Sequence, residues 1–288
     1  MRARRVGIEL LAIGLIVFLL GVLTWPALTW LWQAWLSDEL YSHSPVIVLV
    51  SLFLAWRSLK QGATASVADE SPWAWSSLAA LFLVLGSLGG LLWAIPSRAF
   101  YLALVFCLLL VEGMLWYGRG ETFAKKLIFP VAFLGYAIPL PFVDPLSVPL
   151  QQWTTAFSTA LARLIHIPAT YEGSRIMLTT CGLTVGAPCS GLRSLVALLA
   201  LATLLAYVLQ GQWWVRCLLV VLAVPIALVA NTGRVLVLLV IAERWGQRVA
   251  LAIWHDWSGL AFFAIAFALL VALSWGLGCR GVRVDLGL

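Results

Sequence analysis

Apolar runs of about twenty residues follow one another along almost the whole chain, with only short polar breaks between them. This succession limits the fold more than any single motif. A run of ~20 apolar residues is long enough to cross a hydrocarbon layer as a helix. In lipid a spanning segment must satisfy its own backbone hydrogen bonds. The runs fall near 6–23, 44–59, 74–95, 99–117, 127–143, 190–210, 214–241 and 257–279. The expected fold is an all-α polytopic membrane protein with about eight transmembrane helices, the second being the shortest.

Composition closes off the alternatives. Hydrophobic residues make up 63% of the 288 and charged residues 10%, against about 25% charged in a soluble globular chain. No length remains for a sizeable soluble domain. Residues 1–288 therefore read as one transmembrane domain, with no soluble C-terminal domain after the last span. The net charge of +6 then concerns topology and anionic headgroups, and no nucleic-acid partner is expected. The basic start Met1-Arg-Ala-Arg-Arg5 and the run behind it resemble a signal peptide. Thr24-Trp25-Pro26 offers no small-residue cleavage site, so the run is read as an uncleaved span.

Lys and Arg orient the bundle. With the N-terminus inside, the inner side holds Arg2, Arg4, Arg5, Arg57, Lys60, Arg119, Lys125, Lys126, Arg216, Arg280 and Arg283. The outer side holds Arg98, Arg163, Arg175, Arg244 and Arg248. The excess predicts both termini on the cytoplasmic side. One outer-face loop, 144–188, is long. Its first part, Pro145 to His166, carries Leu146, Leu150, Trp153, Phe157, Leu161 and Leu164 at helical spacing, with Gln and Thr opposite. That pattern predicts an amphipathic helix lying on the membrane surface. The β-branched segments 175–180 and 183–185 around Cys181-Gly182 then predict a short β-hairpin.

The hairpin leads into Ala187-Pro188-Cys189-Ser190-Gly191-Leu192-Arg193-Ser194, at the mouth of the next span. A cysteine at a helix N-terminus sits near unpaired N–H groups and the positive end of the dipole. Arg193 follows four residues later. Both features lower a thiol's pKa, and the thiolate is the nucleophile. The plainer alternative is a small residue at a helix start, with Arg193 snorkelling. The other cysteines form no CxxC and no metal-ligand spacing, so neither disulfides nor a metal site is expected.

Charges within spans are costly and by default face the protein interior. Arg234, in Asn231-Thr232-Gly233-Arg234, lies in the outer part of its run; its alternative is an arginine snorkelling outward. His255, in Trp254-His255-Asp256-Trp257, opens the last span at the same face, with Asp256 beside it. A lone histidine between tryptophans is often only interfacial. The topology nevertheless brings a thiol, an imidazole and a fixed cation to one membrane face from three helices. Together they can supply attacker, proton shuttle and oxyanion stabiliser. His43, Glu172, Asn231 and Arg193 are supporting candidates. No HExxH and no Gly-rich phosphate loop is present.

These blocks resemble the exosortase family, related to archaeosortases: Cys189-Ser-Gly-Leu-Arg-Ser194, Pro225-Ile-Ala with Asn231-x-x-Arg234, and His255 followed by Gly259 and Phe263. Tyr41-Ser-His43, Pro139-Leu-Pro141 with Pro149-Leu-Gln151, and Glu172-Gly173 extend the likeness over roughly 40–275. The resemblance implies a bacterial inner-membrane cysteine transpeptidase working at the periplasmic face. It implies exported protein substrates bearing a C-terminal sorting signal, namely a Pro-Glu-Pro-type motif, a transmembrane helix and a basic tail. It implies Cys189 as nucleophile with Arg234 and His255 completing the set, an acceptor nucleophile of unspecified identity, membrane lipid as surroundings, and no cofactor. Two other classes compete with this reading. A transporter would need a central path, and no mid-span acidic pair provides one. An exopolysaccharide- or lipid-linked-glycan-handling enzyme would lean on Asp, Glu or Arg contacts to phosphate rather than on one thiol.

Overall fold

The structure, a computed structural model, describes residues 2–62, 75–186, 189–251, 255–279 and 281–283. Contacts divide the chain into two compact units, Met1–Leu140 and Pro141–Leu288.

The first unit contains α1 (Arg2–Ser37), α2 (Ser44–Gly62), α3 (Trp75–Ala94), α4 (Phe100–Arg119) and α5 (Glu121–Phe133). Helix α4 is its hub, packing on α1, α3 and α5. The α3–α4 contact is close because glycines face larger groups: a Cβ on Gly90 would stand 2.5 Å from the Phe106 ring. Small residues at such positions let helices approach in lipid, where no hydrophobic force drives them together. Gly120, at φ 87°, is both the C-cap of α4 and the N-cap of α5, and it turns the chain sharply between them. The expected span at 127–143 is shorter than its apolar run. Helix α5 ends at Phe133 and tightens into a 3₁₀ turn, Leu134–Ala137. The Trp35 indole fixes that turn by donating to the Ala137 carbonyl at 2.8 Å.

The second unit is built on α8 (Trp213–Trp245), 33 residues long and so about 50 Å at about 1.5 Å per residue. Helices α6 (Ser147–Leu164), α7 (Leu192–Val208) and α10 (His255–Gly276) all pack against it. A short α9 (Gln247–Val249) follows α8. At the α7–α8 turn, Gln210 N–H donates to the Gly281 carbonyl at 3.0 Å and Arg283 N–H to the Val208 carbonyl at 2.9 Å. These bonds tie the segment after α10 to that turn.

Among the described residues, five helices are long and apolar enough to cross a membrane: Glu39–Lys60, Ser76–Ala94, Phe100–Arg119, Trp213–Trp245 and Trp257–Gly276. Leu192–Val208 is a shorter apolar helix. The expected first span falls within α1, most of whose first-half side chains lie outside the described residues. The architecture is an all-α polytopic membrane fold with a small sheet.

Of the expectations for 144–188, one is extended and one is corrected. The expected hairpin is present as β2 (Arg175–Met177) and β3 (Gly182–Thr184), and β1 (Thr170–Glu172) extends it to a three-stranded antiparallel sheet in the order β1-β2-β3. Helix α6 does expose its apolar stripe, including Trp153, Phe157 and Leu164. Its polar stripe, however, does not face water: Thr154, Thr155, Ser158 and Thr159 are all buried, on a helix packed along α8. Hydroxyls and small side chains make a close helix–helix seam in an apolar setting, so α6 is docked on the bundle by its polar face.

Candidate active site

The site is assembled where α7 begins. Helix α7 starts at Leu192, and its N-cap is Gly191 at φ 82°, the left-handed region. Only glycine enters that region without strain. Space makes the same demand, since a Cβ on Gly191 would lie 2.7 Å from Asn231 Cγ. Cys189 therefore sits two residues before the cap, in a tight turn closed by its own N–H donating to the Gly186 carbonyl at 2.9 Å. Ser190 is fully buried, and its hydroxyl accepts from Leu192 N–H at 3.3 Å. Ala187 and Pro188, expected to lead into the helix, lie outside the described residues.

Helix α8 holds this turn from the other side. Asn231 is 3% exposed, and its amide donates to the Cys189 carbonyl at 2.9 Å and to Thr154 Oγ1 on α6 at 3.1 Å. A second α6 hydroxyl, Ser158, donates to the Thr232 carbonyl at 3.3 Å. One buried amide thus joins α6, α8 and the cysteine turn. Most buried polar groups are partnered in this way. The Cys189 side chain lies in an apolar cluster with Ala162, Ile176, Leu183, Val235 and Leu239, so the sheet, α6 and α8 wall it in.

Arg234 comes three residues after Asn231, on the neighbouring turn of the same helix face. Its Nε–H donates to the Ser258 hydroxyl at 3.0 Å, and Ser258, on α10, is 1% exposed. Gly259 leaves room beside it, with the guanidinium carbon 3.8 Å from where a Cβ would stand. Two opposed influences act on the Cys189 thiol. Burial among apolar side chains pushes its pKa up, the Arg234 charge pulls it down, and burial is the larger. The net direction is upward, contrary to the lowered pKa expected from a helix N-terminus and Arg193. Cys189 lies outside the helix, so the four-residue spacing to Arg193 does not place the two on one helical face, and Arg193 is exposed. Among the described residues, the cation whose charge acts on the thiol is Arg234, from α8.

The other expected residues are placed as follows. His255 is the first residue of α10 and Asp256 the second, which sets the His255 backbone three residues before Ser258; both of their side chains lie outside the described residues. Glu172 is exposed in β1, opposite Arg175 across a turn whose Gly173 has φ 59°. His43 belongs to the first unit, between Tyr41 and α2; its Nε2 is buried without a hydrogen-bond partner among the described residues. Tyr41 there accepts the Leu140 N–H at 3.1 Å. Thr154 and Ser258 were not singled out from sequence. Hydroxyls cost little in an apolar helix and so carry no hydropathy signal; the spacing from His255 is the one clue Ser258 gives.

A bundle of apolar helices that walls in a cysteine, clamps its backbone from a neighbouring helix and carries an arginine whose charge acts on the thiol defines a polytopic membrane protein with an enclosed thiol site. The chain belongs to the transmembrane exosortase family: the family model described as Transmembrane exosortase (Exosortase_EpsH) matches residues 35–272, which takes in most of both units and every site residue named above. Transmembrane exosortases are membrane proteases and transpeptidases that act in protein sorting. Searches of curated proteins and of solved structures returned no significant match.

Proposed function

We propose that this protein is a membrane-embedded cysteine transpeptidase that cleaves C-terminal sorting signals from exported proteins, with Cys189 as nucleophile. The observation that carries the reading is the pairing of a walled-in thiol with the charge of Arg234, an arginine anchored to a second helix. A buried thiol excludes water and unwanted reaction partners, and a fixed cation beside it stabilises negative charge as it develops.

The reaction proceeds in two balanced steps. The Cys189 sulfur gives its proton to His255 and attacks a backbone carbonyl carbon of the substrate, while Arg234 stabilises the oxyanion. The C–N bond breaks, the leaving amine takes the proton from His255, and the N-terminal part of the substrate remains as a thioester on Cys189. Water or an acceptor amine then attacks the thioester, passes its proton through His255 and restores the thiol. Asn231 holds the Cys189 carbonyl and so keeps the nucleophile's peptide plane in place. The substrates in this reading carry a Pro-Glu-Pro-type motif, a transmembrane helix and a basic tail. The site faces the periplasm of a bacterial inner membrane, with both termini cytoplasmic. The distance along α8 agrees with a site at the membrane edge: from Trp213 to Asn231 the helix rises about 27 Å, close to one hydrocarbon thickness of about 30 Å.

The test is to co-express a tagged protein bearing such a signal with wild type or Cys189→Ala. Wild type should remove the tail and Cys189→Ala should leave the substrate full-length. Equal processing by both would exclude Cys189 as nucleophile.

A further inference from the structure

Strand β3 has one edge in use and one edge free. In the β2–β3 ladder Leu178 N–H donates to the Cys181 carbonyl and Val185 N–H to the Ser174 carbonyl, both at 2.8 Å, and the register sets Leu183 opposite Ile176. Residues that bond across an antiparallel ladder alternate with residues that do not. The N–H and C=O groups of Gly182 and Thr184 therefore point away from β2. Among the described residues they have no hydrogen-bond partner. Helix α6 packs on β1 and β2, and β3 is the outer strand on the other side. The free edge also leads to the thiol. Gly186 is two residues on from Thr184, at most about 7 Å, and the bond from Cys189 N–H to the Gly186 carbonyl closes a turn whose ends are under ~7 Å apart. Thr184 thus lies within about 14 Å of Cys189, a distance that about four extended residues cover. Arg175 brings a charge to this edge. It is exposed, and a Cβ on Gly182 would stand 3.3 Å from both its Nε and its Nη2, so the guanidinium lies over β3 where a side chain would otherwise be. Glu172 stands opposite Arg175 in β1, yet among the described residues Arg175 makes no ion pair and no hydrogen bond through its side chain.

We propose that the free edge of β3 is where an extended segment of the substrate docks, adding a strand to the sheet, and that Arg175 reads a carboxylate on that segment. The inference rests on the reading of Cys189 given above. Strand addition draws affinity from main-chain hydrogen bonds and specificity from alternate side chains. A residue paired opposite Gly182 puts its side chain on Gly182's own face of the sheet, with its Cβ about 4.5–5.5 Å away. The Arg175 guanidinium lies on that face, and its planar, permanently charged fork fits a carboxylate. The occupant is therefore an acidic peptide in extended form. A Pro-Glu-Pro stretch meets both demands. With the glutamate opposite Gly182, its N–H and C=O face β3. The prolines, one residue to either side, then turn their missing donors away from the ladder, as proline at a sheet edge requires.

The experiment takes the full-length protein in nanodiscs with a purified tagged substrate carrying such a signal, and changes one charge on each partner. Glutamine in place of the substrate's glutamate should raise KM about fivefold at low salt, the upper range for a partly exposed ion pair, with kcat unchanged. Arg175→Gln should do the same, and the two changes together should cost no more than either alone. Arg175→Glu should process a substrate with lysine at that position better than the original. These differences should fade as salt rises. Semisynthetic N-methylation of the glutamate removes the donor that faces β3 while leaving the enzyme untouched, and it should also raise KM. Additive losses, an unreversed preference in Arg175→Glu, or indifference to the N-methyl group overturns the proposal. Binding of uncleaved substrate to Cys189→Ala should show the same charge pattern. That pattern, alongside continued processing by Cys189→Ala, would refute the nucleophile assignment and leave the docking edge intact. Processing that needs Cys189 but ignores the charge at Arg175 would refute the docking edge and leave the nucleophile.

Discussion

Gly191→Ala should disable the site, and the structure allows the size of the effect to be worked out. The residue sits at φ 82°, where a side chain costs an L-residue about 1–2 kcal/mol. The new methyl would also stand 2.7 Å from Asn231 Cγ, 2.8 Å from Nδ2 and 2.9 Å from Cβ. Asn231 cannot yield easily, because it is 3% exposed within a 33-residue helix and bonded to both Thr154 and the Cys189 carbonyl. Relief requires breaking at least the bond to Cys189, and leaving one buried partner unsatisfied costs about 1–3 kcal/mol. The sum is on the order of 2–5 kcal/mol. The assay pairs thermal unfolding of the purified protein in detergent with processing of a tagged substrate. Gly191→Ala should lower the unfolding temperature and reduce processing by more than tenfold. Asn231→Gly in the same chain removes the clash and should recover part of the stability, because the positive φ remains, but not the processing, because the clamp on Cys189 is gone. If Gly191→Ala unfolds and processes like wild type, the cap geometry and the clamp drawn from it are wrong.

Two further predictions follow from the same structure. Burial raises the Cys189 pKa and Arg234 opposes it, so processing should rise with pH as the thiolate forms. Arg234→Gln removes the opposing charge and should move the acid limb of the pH–rate profile to higher pH; a limb that stays or moves down refutes the coupling. In the first unit, Gly90→Ala drives a methyl into the Phe106 ring, and overpacking of this kind costs about 1–3 kcal/mol. It should lower the unfolding temperature, and Phe106→Leu should restore part of the loss.

What could be read from sequence divides along physical lines. The long apolar helices were legible because a lipid-facing helix needs only length and hydrophobicity: α3, α4, α7, α8 and α10 begin and end within a few residues of their runs. The run at 127–143 misled because apolarity persists through Leu134–Ala137 while the helix geometry does not. For α6 the periodicity was visible, but periodicity cannot say whether a polar stripe meets water or another helix; here Thr154 and Ser158 meet α8. Strand β1 was hidden because Thr170–Glu172 is three exposed residues with no alternation. Around the cysteine, the residue types stood out, since Cys189, Asn231 and Arg234 are conspicuous in such company. Their geometry did not. Local spacing pointed to Arg193 as the partner cation, whereas the charge on the thiol comes from 45 residues further along, across a helix contact that no spacing rule encodes.

The length of α8 makes bilayer thickness a variable of this protein. Trp213 and Trp214 are exposed at one end of the helix, where indoles favour the headgroup zone, and the cysteine clamp is built into the same rigid rod further along. A helix that cannot stretch answers a thicker or thinner membrane by tilting, or by deforming the lipid around it. With the site at the membrane edge, as proposed, a thicker bilayer would draw the thiol into hydrocarbon, where ionisation is harder. A thinner one would leave it in the wet headgroup layer, where water would compete with any other acceptor. On that placement, chain length of the host lipid would act on the same balance between burial and charge that Arg234 shifts from within.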